Sequence, residues 1–101
     1  MVYRIHLTPK ALKHIDLICD YITTELYNPK AAFNLTRLIH AKIKRLRIFP
    51  TSCPLISKLR LSDKETRKLT INRNIIVLYD INEYDKIVRI LGVYNTATNY
   101  P

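Results

Sequence analysis

The sequence is poor in glycine, in cysteine and in acidic residues. One glycine among 101 residues excludes the glycine-rich loops that hold nucleotide phosphates. The two cysteines, Cys19 and Cys53, are too few for a disulfide scaffold and lack the CxxC spacing of zinc or thioredoxin-type sites. No apolar run is long enough to span a membrane, and charged residues interleave the N-terminus from Arg4 onwards. We therefore expect a cytoplasmic protein that uses no metal and no cofactor.

The acidic residues are also unevenly placed. Lysine and arginine number 17 against 8 aspartates and glutamates, which gives a net charge of +9. No acidic residue lies between Leu26 and Ser62, whereas that stretch contains Lys30, Arg37, Lys42, Lys44, Arg45, Arg47, Lys58 and Arg60. A field of one sign attracts polyanions, because each phosphate that is neutralised releases counterions. The charge predicts a nucleic acid or an acidic protein as partner, with a solvated basic face as the alternative.

The first half of the chain predicts a strand and two amphipathic helices. Residues 2–7 alternate between apolar and polar side chains, as a half-buried strand does. Thr8-Pro9 and Asn28-Pro29 each place a capping side chain before a proline, which is a common helix start. The second helix must end before Phe49-Pro50, because a residue preceding proline avoids the helical conformation. The expected buried stripes are Leu12, Ile15, Cys19, Ile22 and Leu26 in the first helix and Ala32, Leu35, Ile39, Ile43 and Leu46 in the second.

The second half predicts three strands after an irregular segment over residues 51–65. The strands cover about residues 66–71, 75–81 and 86–94, and their short links make sequential neighbours antiparallel. The middle strand is apolar on both faces and belongs inside the sheet. The order β-α-α-β-β-β thus predicts an α+β fold, in which an antiparallel sheet is covered on one face by an N-terminal helix hairpin.

The sequence contains few candidate catalytic residues. His6, His14 and His40 are scattered, so they predict no metal site, and the two helical histidines are expected to be exposed. A basic and aromatic set around the sheet remains: Arg60, Lys64, Arg67, Lys68, Arg73, Tyr79, Tyr94 and Tyr100. Such groups suffice for metal-free RNA cleavage, because the RNA supplies its own 2′-hydroxyl and the protein positions it and neutralises charge. Alternatively, Tyr79 and Tyr94 are core aromatics with solvated hydroxyls.

Several phrases occur in a recognisable order along nearly the whole chain. They are LTPKAL at residues 7–12, NPKAA at 28–32, Phe49-Pro50, RKL at 67–69, NIIVLY at 74–79 and IVRIL at 87–91. Their order and spacing resemble the RelE/ParE superfamily of toxins from type II toxin–antitoxin systems. The resemblance implies that residues 1–101 form a single small basic toxin domain, held inactive by an antitoxin encoded beside it.

The resemblance leaves the cellular target open. RelE-like members cut mRNA in the ribosomal A site, whereas ParE-like members poison DNA gyrase. The leading hypothesis is a toxin that cleaves mRNA on the ribosome and is neutralised by an acidic cognate antitoxin. The alternatives are a gyrase inhibitor without nuclease activity and a weakened toxin that mainly binds its antitoxin.

The resemblance also assigns candidate residues. Arg67 falls where related nucleases place a basic residue on the scissile phosphate, and Tyr100 falls near a C-terminal aromatic that contacts RNA. Candidates for nucleic-acid binding are Lys58, Arg60, Lys64, Lys68, Arg73 and Asn95. However, the tail over residues 95–100 lacks the two arginines of many relatives, and the middle strand lacks another. Both departures favour weak cleavage or a different target. Alternation moreover places Arg67 on the same side of the strand as Leu69 and Ile71. Either this face of the sheet opens to a groove at its end, or the predicted register is wrong by one residue.

Overall fold

The computed structural model describes residues 2–56 and 65–96. Strand β1 (Arg4–Leu7) is followed by helix α1 (Pro9–Thr24), helix α2 (Pro29–Lys44) and a single 3₁₀ turn (Arg45–Arg47). Three further strands complete the described chain: β2 (Arg67–Thr70), β3 (Ile75–Asn82) and β4 (Ile87–Asn95). This order confirms the predicted α+β fold. None of the described helices is long and apolar enough to cross a membrane.

Both helices begin as their sequences predict. The Thr8 side-chain oxygen accepts a hydrogen bond from the backbone N–H of Ala11 at 3.2 Å. The Asn28 side-chain oxygen accepts one from Ala31 at 3.1 Å. In each case a proline follows the cap. The first residue of a helix has no intrahelical partner for its N–H, so proline, which lacks that N–H, costs no hydrogen bond there.

The sheet has the strand order β1-β4-β3-β2, with β3 and β4 in its interior. β2, β3 and β4 are antiparallel neighbours, whereas β1 runs parallel to β4. The sheet is therefore mixed, and the expectation of a wholly antiparallel sheet is wrong for β1. The physical reason is the connection between β1 and β2, which contains both helices and ends at the opposite edge of the sheet. β1 therefore pairs with the last strand, β4, rather than with β2.

The main core lies between the helix hairpin and one face of the sheet. It is formed by Ala11 and Ile15 from α1, Ile39 and Ile43 from α2, Leu46, and Ile71, Ile75, Val77, Tyr79, Val88, Ile90 and Val93 from the sheet side. The predicted stripe of α2 is confirmed. Two members of the α1 stripe are wrong, because Leu12 and Leu26 are 48% and 55% exposed. The line through Ala11 and Ile15 faces the core instead, and Leu12 lies about 100° around the helix from Ala11.

The opposite face of the sheet has a smaller apolar cluster. Ile76, Leu78 and Tyr94 are buried there, and Ile56 packs against them. The single glycine, Gly92, leaves room for the Tyr94 side chain of this cluster. A Cβ at position 92 would lie 2.7–2.9 Å from atoms of that side chain. The tyrosine ring thus lies across its own strand only because residue 92 has no side chain.

Candidate functional site

Arg67 is engaged with the backbone of the segment that follows the helices. Its Nη1 donates to the carbonyl oxygen of Cys53 at 2.6 Å and to that of Thr51 at 3.3 Å. Arg67 is paired with Tyr79 across the β2–β3 ladder, so both side chains lie on the helix-covered face. The register read from the sequence is therefore right, and the end of this face is closed by residues 51–53 around the guanidinium.

Tyr79 belongs to the same cluster and is fully buried. Its hydroxyl donates to the carbonyl oxygen of Pro50 at 2.6 Å. Burial, aided by a contact with the Cys53 thiol, raises the pKa of the Tyr79 hydroxyl far above its usual value. A buried hydroxyl that holds its proton and bonds a carbonyl is a structural group. The interpretation of Tyr79 as a core aromatic is thus confirmed, although its hydroxyl bonds the protein rather than water.

The sheet face opposite the helices presents few free cations. Arg89 binds the fully buried Asp80 through two hydrogen bonds of 2.7 and 3.2 Å. Lys68 is paired with Leu78 in the ladder and is half-buried on this face. Among the described residues, this face therefore combines an apolar cluster with an ion pair. Its strand cations outside that pair are Lys68 on β2 and the exposed Arg4 on β1, which lie at opposite edges of the sheet.

A large open groove lies at the other end of the molecule. Its volume is about 820 Å³, and it runs between the C-terminal half of α1, Leu35 of α2 and the ends of β3 and β4. Leu17, Tyr21 and Leu26 line it, and each side chain is 55% exposed. Three large apolar side chains exposed side by side are typical of a surface that binds another protein.

His14 stands where this groove meets the edge of β4. The backbone N–H of Val93 donates to His14 Nδ1 at 3.1 Å, and the imidazole ring lies 4.8 Å from the Tyr94 ring. Burial, with a smaller contribution from Lys10, lowers the pKa of His14. The expectation of an exposed His14 is wrong: β1 pairs with β4 only as far as Ile90, and α1 covers the edge beyond it.

A comparison with protein families identifies the chain. Residues 5–100 match the family model described as the ParE toxin of the type II toxin–antitoxin system parDE. The chain belongs to the ParE toxin family. The RelE/ParE resemblance read from the sequence is thereby confirmed, and the protein is a toxin of a type II toxin–antitoxin system. A comparison with curated protein sequences finds no match.

Three solved structures that share this fold are distant in sequence from this ParE-family toxin. A chain of the chromosomal ParDE system from P. aeruginosa matches with a TM-score of 0.75 and 21% identity, covering 93% of this chain and 96% of that one. A chain of the archaeal RelE–RelB complex from Pyrococcus horikoshii OT3 matches with a TM-score of 0.64 and 19% identity, covering 98% and 100%. A chain of the RelBE2 complex from Mycobacterium tuberculosis has a TM-score of 0.55 at 14% identity, covering 94% and 99%. At these identities the likeness establishes the fold.

The structure separates the described residues that were predicted to meet RNA. Arg67 lies at one end of β2 on the helix-covered face, and Lys68 lies on the opposite face. Arg73 is exposed in the turn before β3, and Asn95 is paired with Ile75 beside that turn. Four ladder positions, about 13 Å, separate this end from Arg67. The remaining candidates lie outside the described residues: Lys58, Arg60, Lys64 and Tyr100.

The sequence interpretation missed the apolar groove and its histidine. Leu17 and Tyr21 were outside the predicted stripe of α1, and their spacing of four residues was the available signal for a second apolar face. His14 had no comparable signal, because its partner is a backbone N–H on a strand 79 residues away in the chain.

Proposed function

We propose that this toxin inhibits growth by binding DNA gyrase, as ParE-like toxins do, and that it does not cleave RNA. The observation that carries this proposal is the state of the sheet face opposite the helices. Metal-free cleavage of RNA requires several cationic groups that converge on one phosphate. On this face Arg89 is bound to Asp80 and the neighbouring cluster is apolar.

The position of Arg67 supports the same conclusion. Its guanidinium bonds two carbonyl oxygens of residues 51–53, and a phosphate would have to replace the 2.6 Å bond to Cys53. This bond is partly buried and its donor is charged, so its loss would cost about 1–3 kcal/mol. The ParE family match and the arginine-poor tail point in the same direction.

We further propose that the groove beside α1 is the surface through which the toxin binds proteins. An acidic cognate antitoxin suits a chain of charge +9, and an apolar segment of it fits against Leu17 and Tyr21. Occupation of this surface by the antitoxin would block the toxin's contact with gyrase. Neutralisation then needs no change in the toxin's own structure.

The test measures both activities in one buffer with the purified full chain. DNA supercoiling by gyrase is followed on plasmid, and mRNA integrity is followed by primer extension in a cell-free translation reaction. The groove variant Leu17→Glu/Tyr21→Glu is compared with Lys13→Glu/Asp20→Lys, two exposed positions of α1 that do not line the groove. We expect blocked supercoiling with intact mRNA for the original chain and the control, and loss of inhibition in the groove variant.

Other outcomes assign the protein differently. Ribosome-dependent cuts that disappear in Lys68→Ala/Arg73→Ala, with normal supercoiling, would replace the gyrase proposal with mRNA cleavage. Inactivity in both assays, together with antitoxin binding, would leave a weakened toxin whose function is to bind its antitoxin. If the groove variant still inhibits supercoiling, gyrase inhibition stands but the groove is not the surface involved.

A further inference from the structure

The outer side of α2 carries a straight row of basic side chains. Lys30, Arg37 and Lys44 follow one another at intervals of seven residues, and all three are exposed. Seven residues make almost two full turns of an α-helix, with a drift of about 20°, so the three side chains lie on one side of it. At 1.5 Å per residue the row extends over about 21 Å.

The 3₁₀ turn continues this row beyond the helix. Side chains three residues apart are eclipsed in a 3₁₀ turn, so the exposed Arg47 follows Lys44 in line. We call Lys30, Arg37, Lys44 and Arg47 the basic ridge. Within it, the Arg37 guanidinium lies over the ring of the exposed Phe33, 5.8 Å from its centroid. This contact restricts the guanidinium without neutralising its charge.

The charge of the basic ridge is not balanced from within the described chain. The sequence has no acidic residue between Leu26 and Ser62, so α2 contains no partner for its own cations. The two ion pairs of the described residues join Lys86 to Glu83 and Arg89 to Asp80, away from α2. The four charges of the basic ridge therefore face the solvent as one field.

We propose that the basic ridge binds the phosphate backbone of duplex DNA. Duplex DNA is a stiff rod with one negative charge per about 1.7 Å of its axis, which suits a straight and rigid row of cations. Lysine and arginine contacts to phosphates fix a protein on the duplex without reading bases, so the binding is independent of sequence. This function goes beyond gyrase binding: it would hold the toxin on the DNA where a topoisomerase works.

The distribution of apolar surface favours DNA over a protein at this site. On the side of α2 that carries the basic ridge the exposed large apolar side chain is Phe33, and the Arg37 guanidinium lies over that ring. Leu38 lies about 100° around the helix from Arg37, and the exposed Ile48 and Phe49 come after the end of the ridge. Protein interfaces are centred on apolar and aromatic anchors, and the cluster of such residues here lies on the groove side of α1. The two helices thus present surfaces of different chemistry.

The test measures binding of the full chain to a fluorescent duplex DNA of arbitrary sequence between about 50 and 200 mM salt, the range in which such contacts are strongly screened. The ridge variant is Lys30→Gln/Arg37→Gln/Lys44→Gln. Its matched control is Arg4→Gln/Lys10→Gln/Lys13→Gln, three exposed cations elsewhere. Both variants have three fewer charges, so the net charge of each falls from +9 to +6.

We expect the plot of log affinity against log salt to have a slope of about −3 to −4 for the original chain, and one closer to zero by about 2.7 for the ridge variant. The control should retain most of the original slope. An equal loss in both variants would overturn the proposal, because net charge alone would then explain the binding. Tighter binding of duplex RNA or of polyglutamate would assign the ridge to RNA or to an acidic protein instead.

A measurement on the original chain does not depend on how the variants fold. Lysine acetylation in the presence of duplex DNA should protect Lys30 and Lys44 and leave Lys10 and Lys13 reactive. Equal reactivity of all four lysines with and without bound DNA would contradict a DNA contact along the basic ridge.

Discussion

The two helices of the hairpin are alike on their inner sides and different on their outer sides. Each has 16 residues, begins at a proline behind a side-chain cap and buries residues at helical spacing in the same core. The outer side of α1 exposes apolar Leu17 and Tyr21 beside acidic Asp16 and Asp20, whereas that of α2 exposes the basic ridge. One shared core constrains the inner sides equally. The outer sides are free of that constraint, and there the toxin presents two surfaces of different chemistry.

Substitution of Ile15 in α1 and Ile39 in α2 tests whether the inner sides of the two helices contribute equally to the free energy of unfolding. Ile39→Ala and Ile15→Ala each leave a cavity between the hairpin and the sheet, and each should lower the free energy of unfolding by about 2–5 kcal/mol. The loss should be greater for Ile39, which is fully buried, than for Ile15, which is 6% exposed. Urea unfolding monitored by circular dichroism measures both. A loss below about 1 kcal/mol at either site would mean that this helix does not pack as described.

The N-terminal caps are the next difference to measure. Both cap side chains accept a backbone N–H, but the Thr8 hydroxyl also donates to the carbonyl oxygen of Ile90 at 2.7 Å. Thr8→Ala should therefore cost about 1–2 kcal/mol and Asn28→Ala about 1 kcal/mol. The control Thr8→Ser keeps the hydroxyl and should recover most of the loss. Equal costs for the two alanine variants would show that the bond to Ile90 contributes nothing.

The helix starts and the α2 stripe were predictable because they depend on local chemistry. Capping side chains, prolines and a periodic stripe act within a few residues, and the structure places both helix starts where the sequence does. The parallel pairing of β1 with β4 was not predictable from such signals. It joins residues more than 80 positions apart, such as Arg4 and Ile87, and it depends on how the whole hairpin packs on the sheet.

In the candidate site, too, features set by local sequence were predictable and features set by tertiary packing were not. Alternation along β2 correctly predicted which face Arg67 occupies. Its two carbonyl partners were not predictable, because residues 51–53 follow no regular pattern and their path depends on tertiary packing. Leu12 was misplaced for a related reason: at the start of α1 the core receives Ala11 rather than its larger neighbour Leu12, and this choice depends on how the helix packs on the sheet.

His14 gives α1 a pH dependence. Burial lowers the pKa of His14 below its ordinary value of 6.5, and Nδ1 accepts the Val93 N–H, so the folded state favours the neutral imidazole. The unfolded chain binds the proton more readily, so this stability is present above pH 6.5 and is lost as the pH falls through the lowered pKa. Unfolding titrations from about pH 7.5 to 5 should show the decline.

Two variants locate the origin of that decline. His14→Gln replaces the titrating acceptor with a neutral amide, and it should flatten the pH dependence in this range. His40→Gln, on the exposed side of α2, should leave it unchanged. A decline that persists in His14→Gln would have to come from another group.

The smallest expected effect concerns the ends of the two helices. After α1 the chain turns at Tyr27, which has a φ of 51° and is 87% exposed, and the N–H of Asn28 donates back to the carbonyl oxygen of Ile22. A left-handed backbone strains any residue with a Cβ, so Tyr27→Gly should stabilise the fold by up to about 1 kcal/mol. At the end of α2, Arg45 has a φ of −63° and needs no such freedom. Arg45→Gly should therefore destabilise the protein by about 0.5–1 kcal/mol through the added flexibility of the unfolded chain. Thermal unfolding of Tyr27→Gly and Arg45→Gly measures both effects. A change in stability of the same sign in the two variants would contradict the left-handed turn at Tyr27.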